Sequence, residues 1–123
     1  MHVALINTSR PEDPAQRAIP PMGLFYLASY IDNFLPEVKV TVCKTPAEVL
    51  KLKPDLVGIS SVTECFNIAR KWAAEFKNML NIPVIIGGAH ISALPESLPE
   101  EFDVGVLGEG EETFLELVTY FKN

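Results

Sequence analysis

The chain has little of what metal sites and disulfide frameworks require. In 123 residues it contains two cysteines, Cys43 and Cys65, and two histidines, His2 and His90. Two cysteines are too few for a disulfide scaffold, and a zinc site needs three or four ligands, which nothing in the sequence brings together. We therefore predict no metal ion held by protein side chains and expect a reducing, cytoplasmic setting.

Positive charge is also scarce. The sequence contains ten Lys and Arg and sixteen Asp and Glu, which gives a net charge of −6, and the basic residues do not cluster. Nucleic acid is therefore excluded as an expected partner. Apolar runs are no longer than a strand, or are broken by Gly, Pro or charge, so we expect no membrane span. The first residues lack the basic start and long apolar core of a signal peptide.

Several familiar motifs are missing as well. Gly108-Glu109-Gly110 is not a phosphate-binding loop, and no Gly-x-Gly-x-x-Gly follows the first apolar run. A phospho-acceptor receiver needs acidic residues where Asn7 and Ser60 stand. Cys65 as a nucleophile would need a base, and only His90 is available, so we expect a core or loop thiol.

The most informative segment present is Val84-Ile85-Ile86, which leads directly into Gly87-Gly88. An apolar run without alternation is typical of a strand covered on both faces, as in a parallel sheet. Two glycines at its carboxyl end allow a ligand to approach the backbone closely. A tight turn with nothing bound explains these residues equally well.

Apolar runs alternate with helix-period segments along the whole chain. This order predicts a parallel sheet with helices on both faces. The predicted strands are residues 3–6, 38–42, 56–59, 83–86 and 103–107, and the predicted helical segments are 22–34, 45–52, 64–80, a short turn in 94–99, and 111–121.

The fold that best accommodates these elements is a three-layer Rossmann-like, flavodoxin-like α/β fold with five parallel strands in the order 2-1-3-4-5. Residues 38–42 alternate in polarity, so the second strand is predicted at an edge. Ligands of such sheets bind at the carboxyl ends of the strands. Loops 7–20, 60–64, 87–90 and 108–111 are expected to converge there.

Four segments, taken together and in this order, resemble a known domain. They are Pro20-Pro21-Met22-Gly23-Leu24-Phe25-Tyr26-Leu27-Ala28, Pro54-Asp55-Leu56-Val57-Gly58-Ile59-Ser60, Ile85-Ile86-Gly87-Gly88-Ala89-His90 and Gly108-Glu109-Gly110-Glu111-Glu112-Thr113-Phe114. The chain is similar over nearly its whole length to the N-terminal cobalamin-binding domain of cobalamin-dependent radical S-adenosylmethionine (SAM) enzymes.

The resemblance implies that cobalamin is the cofactor and that its nucleotide tail lies over the loops after the first, third and fourth strands. It implies no catalytic residue and no protein ligand to cobalt. The implied cofactor-binding residues are Thr8, Ser60, Ser61, Val62, Thr63, Gly87, Gly88, His90, Gly108, Glu109 and Gly110.

Two motifs of related proteins are absent. The Asp-x-His-x-x-Gly motif, whose histidine ligates cobalt in methionine synthase and the mutases, has no counterpart, since residues 7–14 read Asn-Thr-Ser-Arg-Pro-Glu-Asp-Pro. The Cys-x-x-x-Cys-x-x-Cys motif for a 4Fe-4S cluster is also missing. Residues 1–123 are therefore expected to be one domain, the N-terminal part of a longer enzyme whose radical SAM domain binds SAM and the cluster in cis.

Two alternatives remain open. In the first, the domain has kept the fold but has lost the corrinoid, and it serves as a structural or substrate-docking arm. A free-standing small-molecule enzyme is the least expected, because no acid, base and nucleophile can be assembled from the sequence.

Overall fold

Five short apolar segments form the strands of a single sheet. The computed structural model describes residues 1–8, 22–61, 66–87, 101–106 and 111–122. Its strands are β1 (His2–Asn7), β2 (Lys39–Cys43), β3 (Leu56–Ser60), β4 (Val84–Gly87) and β5 (Val104–Gly105).

The strands are all parallel and lie in the order β2-β1-β3-β4-β5, which confirms the predicted topology. The predicted edge position of the second strand is also confirmed. Every residue of β2 before the last keeps some exposure, whereas β1, β3 and β4 are almost wholly buried. The apolar β4 thus lies inside the sheet, between β3 and β5.

In the described part of the chain, four helices cover the two faces of the sheet. Helices α1 (Met22–Phe34) and α4 (Glu111–Lys122) pack on one face, and α2 (Pro46–Leu52) and α3 (Phe66–Leu80) pack on the other. Because side chains alternate along a strand, Ile85 joins the α1/α4 core while Val84 and Ile86 join the α2/α3 core. The prediction that residues 84–86 are covered on both faces is confirmed.

Local sequence signals set the ends of α2. The hydroxyl of Thr45 accepts a hydrogen bond from the backbone N–H of Glu48 at 3.3 Å, and Pro46 occupies the first turn. Both features are favourable at a helix amino terminus, where backbone N–H groups lack partners. Lys53 ends the helix in a left-handed conformation, with φ of 51°.

The fifth strand is shorter than predicted, two residues instead of the five from 103 to 107. Asp103 lies just before it, where its backbone N–H donates to Val84 O and its carboxylate accepts from Val84 N and from Lys77 Nζ. This hydrogen bond to the Asp103 side chain takes the place of a backbone hydrogen bond in the regular ladder between β4 and β5. Residue 107, the start of the predicted helix at 64–65 and the predicted turn at 94–99 lie outside the described residues.

Trp72 is partly buried against the α2/α3 core. Among the helices described, none is long and apolar enough to cross a membrane.

Gly58 lies in β3 beneath α4, and it provides a test of this packing. A Cβ added there would be 2.8 Å from Leu5 Cδ2 and 3.5 Å from Phe114 Cε1, and both neighbouring side chains are buried. We expect Gly58→Val to lower the free energy of unfolding by about 1–3 kcal/mol through overpacking, measured by urea denaturation followed by circular dichroism.

The matched control is Gly23→Ala. Gly23 is exposed in the first turn of α1, and an added Cβ would meet no atom within 4 Å. Alanine has the higher helix propensity, so this variant should be as stable as the wild type or slightly more so. Wild-type stability in Gly58→Val would contradict the close packing of α4 on β3.

Candidate functional site

Three central strands end side by side at the carboxyl edge of the sheet. Asn7 of β1 is in register with Ser60 of β3, and Ser60 is in register with Gly87 of β4. The three residues therefore form one row across the middle of the sheet, which we call the edge row. Crevices at this end of parallel strands are where open α/β folds bind ligands.

Hydrogen bonds tie the strand ends together just beyond the edge row. Thr8 donates to Ser60 O twice, from its backbone N–H at 2.9 Å and from its hydroxyl at 3.1 Å. Ser61 N–H donates to Gly87 O at 3.0 Å. Thr8 and Ser61 are 6% and 1% exposed, so they form the floor of the site rather than its rim.

Strand alternation decides which way the edge row faces. Leu5, Gly58 and Ile85 all lie on the side of the sheet covered by α1 and α4. Asn7, Ser60 and Gly87 each follow one of these by two residues and so share that side. Asn7 is exposed, and Ser60 and Gly87 are half-buried. An exposed amide, a hydroxyl and a bare glycine therefore line the same part of the edge.

Among the described residues, packing does not require a glycine at position 87. A Cβ added there would meet Val106 O at 3.7 Å and Val106 Cβ at 3.9 Å, which are ordinary contact distances. Its backbone does not adopt a conformation that favours glycine, unlike that of Lys53 or Asn81. No described neighbour therefore explains why this residue lacks a side chain.

Four of the eleven residues expected to bind the cofactor lie within the described part of the chain, and these four lie together. Thr8, Ser60, Ser61 and Gly87 are joined by the strand register and the hydrogen bonds given above. Val62, Thr63, Gly88, His90, Gly108, Glu109 and Gly110 lie outside the described residues.

Asn7 is a candidate that the sequence analysis left out of the binding set. The only signal for it was its place at the end of the first strand, and many strand-end residues have no function. The structure adds the register with Ser60 and the exposure of the side chain. An amide can both donate and accept hydrogen bonds, which suits a ligand rich in polar groups.

His2 lies at the opposite edge of the sheet, at the start of β1. Its Nε2 is 2.8 Å from the hydroxyl of Thr41, and its backbone N–H donates to the carboxylate of Asp55. Partial burial, helped by the positive charge of Lys39, lowers the pKa of His2. Within the described residues, no group of three or more His, Cys, Asp and Glu is arranged to hold a metal ion.

The described cysteine has the features of a structural residue. Cys43 is buried at the end of β2, and this burial raises the pKa of its thiol to about 11. A thiol with that pKa is almost entirely protonated at neutral pH and is a poor nucleophile. Cys65, the cysteine weighed as a nucleophile above, lies outside the described residues.

Comparisons with known proteins agree with this architecture. A family model described as B12 binding domain matches residues 14–118. No curated protein matches the chain. A similar solved structure is a fusion that carries the trimeric coiled-coil segment, amino acids 181–211, of yeast Spc42. It is 14% identical with a TM-score of 0.68, and the match covers 98% of this chain and 78% of that one. At this identity the likeness shows the fold alone.

Proposed function

The chain belongs to the B12-binding domain family, and from this premise we propose that it binds cobalamin at the edge row as a module of a radical SAM enzyme. The observation that supports the proposal is that no described neighbour requires a glycine at position 87, in register with Ser60 at the carboxyl edge of the sheet.

The chemistry of the edge row fits a large and roughly neutral ligand. Cobalamin presents amides, a ribose and a phosphodiester, which exchange hydrogen bonds with hydroxyls, amides and backbone groups. In the proposal, Ser60 and Asn7 hydrogen-bond the nucleotide tail, and the backbone at Gly87 and Gly88 packs against it. Thr8 and Ser61 hold the strand ends in place through the bonds to Ser60 O and Gly87 O.

When bound, the corrinoid supplies a cobalt centre for methyl transfer or electron transfer. The residues of this chain bind and orient the cofactor and shield one side of it from water. No acid or base in the edge row is placed to move a proton, since Asn7, Ser60 and Gly87 carry no titratable group at neutral pH.

We further propose that residues 1–123 are a single domain whose parent protein continues into a radical SAM domain. That domain would hold SAM and the 4Fe-4S cluster, for which three cysteines are needed and this chain has two. A cluster of this kind suits the reducing cytoplasm. The basis for this parentage is the order of the four sequence segments described above.

The first test is a graded substitution at Gly87. We expect Gly87→Ala to weaken cobalamin binding and Gly87→Val to abolish it, because each added carbon takes volume from the tail, whereas an added Cβ lies at ordinary contact distance from Val106. Gly88→Val should likewise abolish binding. Isothermal titration with hydroxocobalamin measures the affinity, and thermal unfolding establishes that the variants fold.

The matched control is Asn78→Val. It places a branched apolar side chain at an exposed position in the last turns of α3, near the other edge of the sheet, and should bind as the wild type does. Unchanged affinity in Gly87→Val would show that the nucleotide tail does not lie over the edge row. A folded wild-type chain that binds no cobalamin well above micromolar concentrations would favour the alternative of a domain that has lost the cofactor.

The second test concerns the lower ligand of cobalt. β1 has six residues, so His2 at its start is separated from the edge row by roughly 17 Å. The other histidine is His90, and we expect it to hydrogen-bond the nucleotide tail or a neighbouring loop rather than to ligate cobalt. Electron paramagnetic resonance of bound cobalt(II) should be the same in the wild type and in His90→Ala. Nitrogen superhyperfine splitting that disappears in the variant would establish histidine ligation instead.

The third test is of activity. The 123-residue chain alone should form no 5′-deoxyadenosine from SAM with dithionite, even after reconstitution with iron and sulfide, because it lacks the cluster motif. Chromatography with mass detection measures the product, and an intact radical SAM enzyme serves as the positive control. Detectable product from the purified chain would refute the assignment of the chemistry to another domain.

A further inference from the structure

Thr8 and Ser61 continue the strand ladder by one residue beyond the edge row. The backbone N–H of Thr8 donates to Ser60 O, and the backbone N–H of Ser61 donates to Gly87 O. In a parallel pair, the residue that follows a paired residue donates to the partner's carbonyl, so both bonds repeat the pattern of the strands themselves. The alternation of side chains along β1 and β3 therefore extends to Thr8 and Ser61.

That alternation places Thr8 and Ser61 on the side of the sheet opposite to the edge row. Thr8 follows Ile6 by two residues and Ser61 follows Ile59 by two, and both isoleucines belong to the α2/α3 core. The edge row faces the α1/α4 side. Thr8 is 6% exposed, so its side chain is closed in by the chain itself. A ligand on the edge row therefore has the sheet between itself and the Thr8 hydroxyl.

The Thr8 hydroxyl donates to a carbonyl that already has a donor. It lies 3.1 Å from Ser60 O, which also accepts from the backbone N–H of Thr8 at 2.9 Å. A carbonyl oxygen has two lone pairs, so Thr8 alone satisfies Ser60 O. Without the hydroxyl, Ser60 O would keep its backbone bond, and no buried acceptor would be left unpaired. The second bond restrains the peptide of Ser60, the last residue of β3.

We propose that Thr8 is a positioning residue that does not touch cobalamin. From the far side of the sheet, its hydroxyl fixes the peptide of Ser60 and thereby the direction in which the Ser60 hydroxyl meets the nucleotide tail. A hydroxyl that is already held in place loses less conformational freedom when a ligand binds, and the affinity is higher for that reason. This inference rests on the proposed function, and it replaces the cofactor contact that the resemblance implies for Thr8.

The first test separates affinity from stability. Thr8→Val keeps the branched shape and the backbone N–H but removes the hydroxyl, whereas Thr8→Ser keeps the hydroxyl. We expect Thr8→Val to unfold within about 5 °C of the wild type and to bind hydroxocobalamin about three- to tenfold more weakly in isothermal titration. Thr8→Ser should bind within about twofold of the wild type. A purely structural role would instead lower the unfolding temperature and leave the affinity of the folded chain unchanged.

The matched control is Thr119→Val. The hydroxyl of Thr119 also donates to a backbone carbonyl, that of Leu115 at 2.8 Å, but it is exposed and lies near the end of α4. The variant loses the same kind of hydrogen bond and should bind cobalamin within about twofold of the wild type. A loss equal to that of Thr8→Val would overturn the proposal, because the effect would not depend on Ser60.

A double-mutant cycle tests whether Thr8 acts through Ser60. Ser60→Ala removes the hydroxyl that bonds the tail and should weaken binding about three- to tenfold. Adding Thr8→Val to Ser60→Ala should cost less than about a further twofold, because no hydroxyl remains to be oriented. Fully additive losses would give Thr8 a separate contact with the ligand and overturn the proposal.

Nuclear Overhauser contacts in the complex with diamagnetic cyanocobalamin locate the tail directly. Protons of the nucleotide tail should show contacts with the Ser60 Hβ protons and none with the Thr8 methyl group. Contacts with that methyl group, or unchanged affinity in Thr8→Val, would overturn the role of Thr8 and leave the proposed function standing. A folded wild-type chain that binds no cobalamin would overturn both.

Discussion

The parallel register of β1, β3 and β4 is the constraint on which the rest of the structure depends. The ladder places Asn7, Ser60 and Gly87 in one row, although they are far apart in the sequence. Backbone hydrogen bonds just beyond the row, from Thr8 to Ser60 and from Ser61 to Gly87, hold it in place. Since a shift of one residue reverses the side to which each side chain points, the same register also decides which chemical groups face the crevice.

Two glycines in neighbouring strands have different physical reasons for being glycine. Gly58 lies under Phe114 and beside Leu5, where a Cβ would come within 2.8 Å of a buried side chain. Gly87 has ordinary contact distances to Val106, so packing against the described residues does not explain the missing side chain. The first glycine lets α4 approach the sheet, whereas no described neighbour requires the second. The cobalamin proposal rests on that difference.

The two helical layers are chemically unlike as well as spatially separate. One exposes the aromatic side chains of Tyr26, Phe34 and Tyr120, and the other has several lysines and an arginine, of which Arg70 and Lys77 form ion pairs with Glu101 and Asp103. Exposed ion pairs of this sort contribute little to stability. The asymmetry is therefore better understood through what each surface can bind than through folding energy.

Much of the fold can be predicted from the sequence alone. Hydrophobic periodicity and the alternation of strands and helices are local signals, and one fold is consistent with all of them. The strand order, the edge position of β2 and the bounds of α1 all followed from such signals. The short β5 did not, because the side chain of Asp103 bonds to β4 and no local pattern reports a bond between strands. Asn7 joined the candidate site only in the tertiary structure. Register and exposure depend on which segments become neighbours, and an apolar helix sequence does not say which of its sides the sheet will leave uncovered.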